Sequence, residues 1–121
     1  MENVILDPKT KSAIATFEGF LQLTAHQQIG NAVLDMAIKN SLTKMIIDTS
    51  NLQVIRQETQ KWIQEVWFPR ANNSGVKYMA FVIPKDVLGK MSTTKVNEKA
   101  GNIEIQHVDS IEKAKAWISG K

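Results

Sequence analysis

Short runs of apolar, largely β-branched residues alternate along this chain with segments whose apolar residues recur every three or four positions, and that alternation leaves few folds open. Val4-Ile5-Leu6 and Ala13 to Phe17 flank Asp7-Pro8-Lys9-Thr10-Lys11 and read as a β-hairpin around a proline turn. Ile29, Ala32, Val33, Met36 and Ala37 follow at helical spacing, with Thr24 and Gln27 in capping-box positions. Met45-Ile46-Ile47, ending at Asp48, is short and continuous, as expected of a central strand covered on both faces. Asp48-Thr49-Ser50-Asn51 then reads as a loop, and a second helix is expected over 57–71, which Pro69 should kink or end.

Tyr78 to Ile83 is a further strand, and Pro84 with Asp86 opens a short helix carrying Val87, Leu88 and Met91. Ser92 is placed to cap another turn through Val96. Ile103 to His107 alternates apolar and polar, which suggests a half-exposed strand at the sheet edge. Asp109 and Glu112 form a second capping-box pattern before Ile111, Ala114, Trp117 and Ile118, the buried side of a last helix. The expected order is β-β-α-β-α-β-α-β-α. Alternating strands and helices require right-handed crossovers, so the expectation is one α/β domain over residues 1–121, with a mostly parallel five-stranded sheet, an N-terminal β-hairpin and about four helices.

The composition narrows function mainly by exclusion. At 121 residues with 43% apolar side chains, the chain can bury a sizeable core unaided, and with no cysteine it has neither disulfides nor thiolate metal sites. The formal charge of +3 is spread without a basic stripe, so nucleic acid is not the expected partner. No apolar window is long enough to span a membrane, and the start lacks a leader pattern, so stable insertion is not expected and the protein reads as cytoplasmic.

The strand Met45-Ile46-Ile47-Asp48 and the closing pattern Asp109-x-x-Glu112-x-Ala114-Lys115-Ala116-Trp117-Ile118 resemble the STAS family, the sulfate-transporter and anti-sigma-factor-antagonist domains. Glu65 to Ala71, Gly75-Val76-Lys77 and Ala80 to Asp86 are more narrowly similar to a divergent branch of small stand-alone bacterial proteins with that fold. The resemblance implies a regulator that works through a protein partner. Asp48-Thr49-Ser50-Asn51-Leu52 resembles the family's Asp-Ser-Ser-Gly-Leu run, with Ser50 on the phosphorylated serine; aligning Asp48 differently puts Thr59 there instead. The lipid-exchange domains called CRAL-TRIO share the superfamily fold.

Ligands of open parallel sheets sit at the carboxyl ends of the strands, which here carry Asp48, Thr49, Ser50, Lys85 and Asp86. Asp48, Ser50 and Asp86 have the hard oxygens a magnesium ion would use, but the same residue types make turns and caps, and no metal or cofactor is expected. Catalytic motifs are absent, and no enzyme is expected. His26 shares the stripe of Ile29 and reads as a packed, neutral histidine, while His107 sits on the face of Ile103 and Ile105.

The second helix is less ordinary. Trp62, Ile63, Val66 and Trp67 span about 140 degrees at 100 degrees per residue, wider than one core stripe, and Phe68 falls outside that arc. Trp62, Trp67, Phe68 and Arg70 are therefore candidates for an interface, including a homodimer. Leu34 and Ile38, one turn apart, are a second candidate exposed pair. Two readings follow: a non-catalytic protein acting through protein–protein contact, or a carrier for a small apolar or lipid ligand.

Overall fold

The computed structural model describes residues 3–92 and 96–121. Its strands are β1 (Val4–Asp7), β2 (Ser12–Gly19), β3 (Lys44–Leu52), β4 (Tyr78–Val82), β5 (Asn97–Ala100) and β6 (Ile103–Val108). The helices are α1 (Leu23–Lys39), α2 (Gln57–Trp62), a π-helical segment (Ile63–Trp67), α3 (Phe68–Asn72), α4 (Lys85–Lys90) and α5 (Ile111–Ser119). Segments 57–62, 63–67 and 68–72 run on without a break.

The strands form one six-stranded mixed sheet in the order β1-β2-β3-β4-β6-β5. This corrects the expectation of a mostly parallel five-stranded sheet. β2, β3, β4 and β6 are parallel neighbours, whereas β1 and β5 pair antiparallel at the two edges. Ile103–Val108 is consequently not an edge strand. Its alternation is real, since Ile103 and Ile105 are buried and Glu104 is exposed, but alternation reports the two faces of a strand and says nothing of its edges. The two-residue Gly101-Asn102 loop joins β5 to β6, with Ala100 paired to Ile103. Gly101 has φ +63°, and a Cβ there would strike the Asn72 side chain, whose Oδ1 accepts from the Asn102 N–H at 2.9 Å. A side chain at position 101 would thus face both left-handed strain and a clash. The turn expected from Ser92 retains one helical-type bond, Val96 N–H to the Ser92 carbonyl at 3.1 Å; residues 93–95 between them lie outside the described residues.

Each sheet face has its own core. Ala13, Ala15, Phe17, Met45, Ile47 and Met79 face α1 and the helix that contains Trp67. Ile14, Ile46, Ala80, Val82 and Val108 face Ala114 and Ile118 of α5. Alternation along the parallel strands thus buries both surfaces. At the β1–β2 turn, Asp7 accepts from the Thr10 hydroxyl at 2.9 Å and the Lys9 N–H at 3.1 Å. The Thr10 hydrogen bond, reinforced by those of Lys9 and the charge of Lys115, holds the Asp7 carboxyl below its usual pKa. Cap positions differ by one or two residues from expectation. Gln22, not Thr24, precedes α1, and it makes no side-chain cap bond. Ser110, not Asp109, caps α5 by accepting from the Lys113 N–H at 3.2 Å. Asp109 instead binds the Lys113 ammonium at 2.9 Å, and that hydrogen bond lowers its pKa.

Pro69 neither ends nor visibly breaks the second helix. An α-helical proline presses its ring against the carbonyl four residues back, here Glu65. The preceding turn is π-helical instead, with the Phe68 N–H reaching five residues back to the Ile63 carbonyl. The extra residue loosens the coil just ahead of the proline, and it also re-aims every side chain that follows.

Candidate functional site

The π-helical segment turns the aromatic arc inward. Trp67 is buried and donates its indole N–H to the Gly30 carbonyl of α1 at 2.8 Å. The missing side chain at Gly30 permits this approach, because a Cβ there would lie 3.2 Å from both Trp62 and Trp67. Phe68 is half-buried, meets Trp67 edge-on at 5.2 Å between ring centres, and lies 6.4 Å from Phe81 of β4. Arg70 is exposed but occupied, bonding Asp35 at 2.6 Å and Asn31 at 3.0 Å on α1. Of this helix segment, Val66 is the apolar residue that faces outward, at 50% exposure.

Between this helix, α1 and the carboxyl halves of β2, β3 and β4 lies a cavity of about 140 Å³. Its wall is Phe17, His26, Gly30, Ile47, Thr49, Ile55, Trp62, Ile63, Trp67, Phe68 and Phe81, and it is almost wholly apolar. Phe17 and His26 stack at 4.5 Å with their planes 29° apart. His26 is only 6% exposed. Burial pushes its pKa below the usual histidine value, so the imidazole is neutral at pH 7. Neither of its ring nitrogens has a hydrogen-bond partner among the described residues.

Thr49 reaches the wall because β3 does not stop at Asp48. The expected loop 48–51 is strand, and β3 runs on to Leu52. Its pairing with β2 slips between Thr16↔Asp48 and Glu18↔Asn51, which leaves one extra residue on β3. Such a bulge re-aims side chains beside a site. The Thr49 hydroxyl donates to the Val82 carbonyl at 2.9 Å. Asp48 and Ser50 are brought together, for Asp48 Oδ1 accepts from the Ser50 N–H at 3.0 Å and from its hydroxyl at 2.7 Å. That is a local brace for the bulge, and Asp48→Ala is expected to lower unfolding free energy by about 1 kcal/mol, the worth of a typical hydrogen bond, measured by urea denaturation.

Lys85 and Asp86 open α4 and are exposed; no hydrogen bond or ion pair joins them to Asp48 or Ser50 among the described residues. Ser50 lies within β3, and the next helix along the chain, α2, begins only at Gln57. Thr59, the alternative phosphate acceptor, is 1% exposed with its hydroxyl unpartnered. His107 stacks on Phe81 at 5.4 Å, and its Nδ1 lies 3.4 Å from the Val96 carbonyl. Among the described residues, no three His, Asp or Glu side chains gather as metal ligands would, and no helix is long and apolar enough to cross a membrane.

On the opposite face a wider groove of about 1030 Å³ runs past Lys77, Tyr78, Lys99, Glu104 and Trp117. It is open to solvent, and one wall is the polar edge strand β5, so it lacks the apolar lining of the aromatic cavity. Comparison with protein families, with curated proteins and with solved structures returns no match for this chain.

Proposed function

We propose that this protein is a non-catalytic binding module whose ligand is a small apolar molecule held in the aromatic cavity. The carrying observation is the cavity itself: a half-open, almost wholly apolar space at the carboxyl ends of three parallel strands, where open α/β sheets bind ligands. π-Helical turns are costly and recur at functional sites, and here one forms the cavity roof through Ile63 and Trp67. A non-catalytic role is supported by the wall's chemistry. His26 is its one titratable side chain, and no carboxylate or lysine stands beside it to orient or oppose a reacting group.

Size selects within the carrier reading. Drug-sized ligands occupy roughly 300–1,000 Å³, whereas an apolar cavity of about 150 Å³ takes a molecule like benzene. At about 140 Å³ the space suits a single ring or a short branched chain and is small for a lipid. The alternative, a regulator acting through protein contact, draws on exposed Val66 and the sequence resemblance to STAS domains, because Trp67 and Phe68 are spent on the interior. Fold alone does not decide between them.

Thermal unfolding in benzene, toluene and cyclohexane is the test. A ligand at ten times its Kd adds about 1.4 kcal/mol, which for a chain of this size raises Tm by about 4–6 °C. A Tm unmoved by all three compounds would overturn the reading.

A further inference from the structure

We propose that the cavity is selective for a neutral, single-ring aromatic molecule bearing one hydroxyl, with phenol as the simplest member, and that a ring nitrogen of His26 is its hydrogen-bond partner. The proposal rests on the cavity being a ligand site and goes on to name the ligand class.

Three features point the same way. First, the aromatic wall presents rings in several orientations, Phe17 on His26 at 29°, Trp67 on Phe68 at 86° and Phe68 on Phe81 at 33°. A flat guest in such a box finds both faces and edges, the offset-stacked and T-shaped contacts that aromatic pairs favour. A puckered saturated ring of similar volume gains only its buried area. Second, the volume of about 140 Å³ admits one six-membered ring with a substituent.

Third, the polar capacity of the wall is almost entirely used. The Thr49 hydroxyl proton goes to the Val82 carbonyl and the Trp67 N–H to the Gly30 carbonyl. Among the buried side chains of the wall, His26 alone keeps its hydrogen-bonding atoms unspent. A neutral imidazole has one donor and one acceptor nitrogen, and a hydroxyl can satisfy either. The ring nitrogens are not sealed off, since Thr59 Oγ1 is the buried side-chain polar atom left without a partner among the described residues; a hydroxylated ring entering the cavity can bond one of them, where a hydrocarbon would cover it without a replacement bond. An anionic ring such as benzoate has no lysine or arginine in the wall to meet it.

Calorimetric titration of phenol, toluene and cyclohexanol into the wild type and His26→Phe tests this, since phenylalanine keeps a ring against Phe17 while removing both nitrogens. The wild type is expected to bind phenol about threefold to tenfold more tightly than toluene, as one hydrogen bond allows, and cyclohexanol more weakly than phenol. His26→Phe is expected to lose the phenol preference, the ratio of phenol to toluene affinity falling to about one. A second measurement uses the wild type alone: the His26 ring ¹⁵N shifts should move with phenol and stay put with toluene.

Equal affinity for phenol and toluene, cyclohexanol as tight as phenol, equal losses for phenol and toluene in His26→Phe, or unmoved nitrogen shifts would each overturn the ligand class. In the first two cases the apolar cavity would still stand as a binding site. Failure of all three compounds to bind would remove the site along with it.

Discussion

Replacing Trp67 with alanine is expected to lower the unfolding free energy by about 3–5 kcal/mol, the cost of deleting a buried aromatic side chain. The loss combines three things that meet at this residue: its buried area, its 2.8 Å hydrogen bond to the Gly30 carbonyl, and its edge contact with Phe68. A domain's total stability is typically about 5–15 kcal/mol, so the variant should unfold at markedly lower urea. Trp67→Phe is a milder change, because it keeps one ring while giving up the N–H and the remainder of the indole; about 1–3 kcal/mol is expected there. The Gly30 carbonyl lies within α1, so no buried acceptor is orphaned by either change. An exposed contact residue would show a change within about 0.5 kcal/mol, and that result for Trp67→Ala would contradict the inward packing.

The second large effect falls on the other flank of α1. Leu34 is fully buried and Ile38, one turn later, is 46% exposed. Leu34→Ala is expected to cost about 2–5 kcal/mol, and Ile38→Ala no more than about 0.5 kcal/mol, both read from denaturant midpoints. α1 packs over β2 and β1, which places Leu34 in the cluster that holds Val4 and Ala13. The antiparallel hairpin strand gives the helix a wider floor than a single stripe needs. Similar losses in the two variants would mean that the helix does not sit over β1.

Period and turn chemistry made most elements legible. Ile29 and Val33 at helical spacing, and Met45-Ile46-Ile47 as a continuous run, placed α1 and the central strand correctly. Three features escaped for identifiable reasons. β5, Asn97-Glu98-Lys99-Ala100, has no β-branched or aromatic residue; it is strand because it borrows a partner in β6, and only the Gly101-Asn102 pair after it signals a hairpin. β3 extends through Asp48-Thr49-Ser50-Asn51, whose lettering favours a loop, because β2 and the bulge hold it in the ladder.

The π-helical segment escaped because helical arcs are drawn at 100 degrees per residue, and one inserted residue changes which side chains share a face. The arc that looked too wide for one core stripe at Trp62, Ile63, Val66 and Trp67 was the trace of that insertion, sending Trp67 inward and Val66 out. The cavity could not be read at all. Phe17, His26, Thr49, Trp62 and Phe81 come from five separate elements, and no local pattern ties them together. His26 alone gave a local hint, as a histidine on an apolar stripe. Its buried, neutral state follows from desolvation in the packed structure rather than from its place near the helix start.

The three tryptophans supply the most direct test of the cavity as a binding site. Trp62 and Trp67 line it, whereas Trp117 lies on the opposite sheet face against Tyr78, with the Lys121 ammonium 4.9 Å from its ring. Titrating toluene into ¹⁵N-labelled protein while following the three indole N–H resonances reports both faces in one experiment. The account predicts saturable shifts for Trp62 and Trp67 with Trp117 unmoved; three unmoved resonances at saturating toluene, or shifts confined to Trp117, would contradict it.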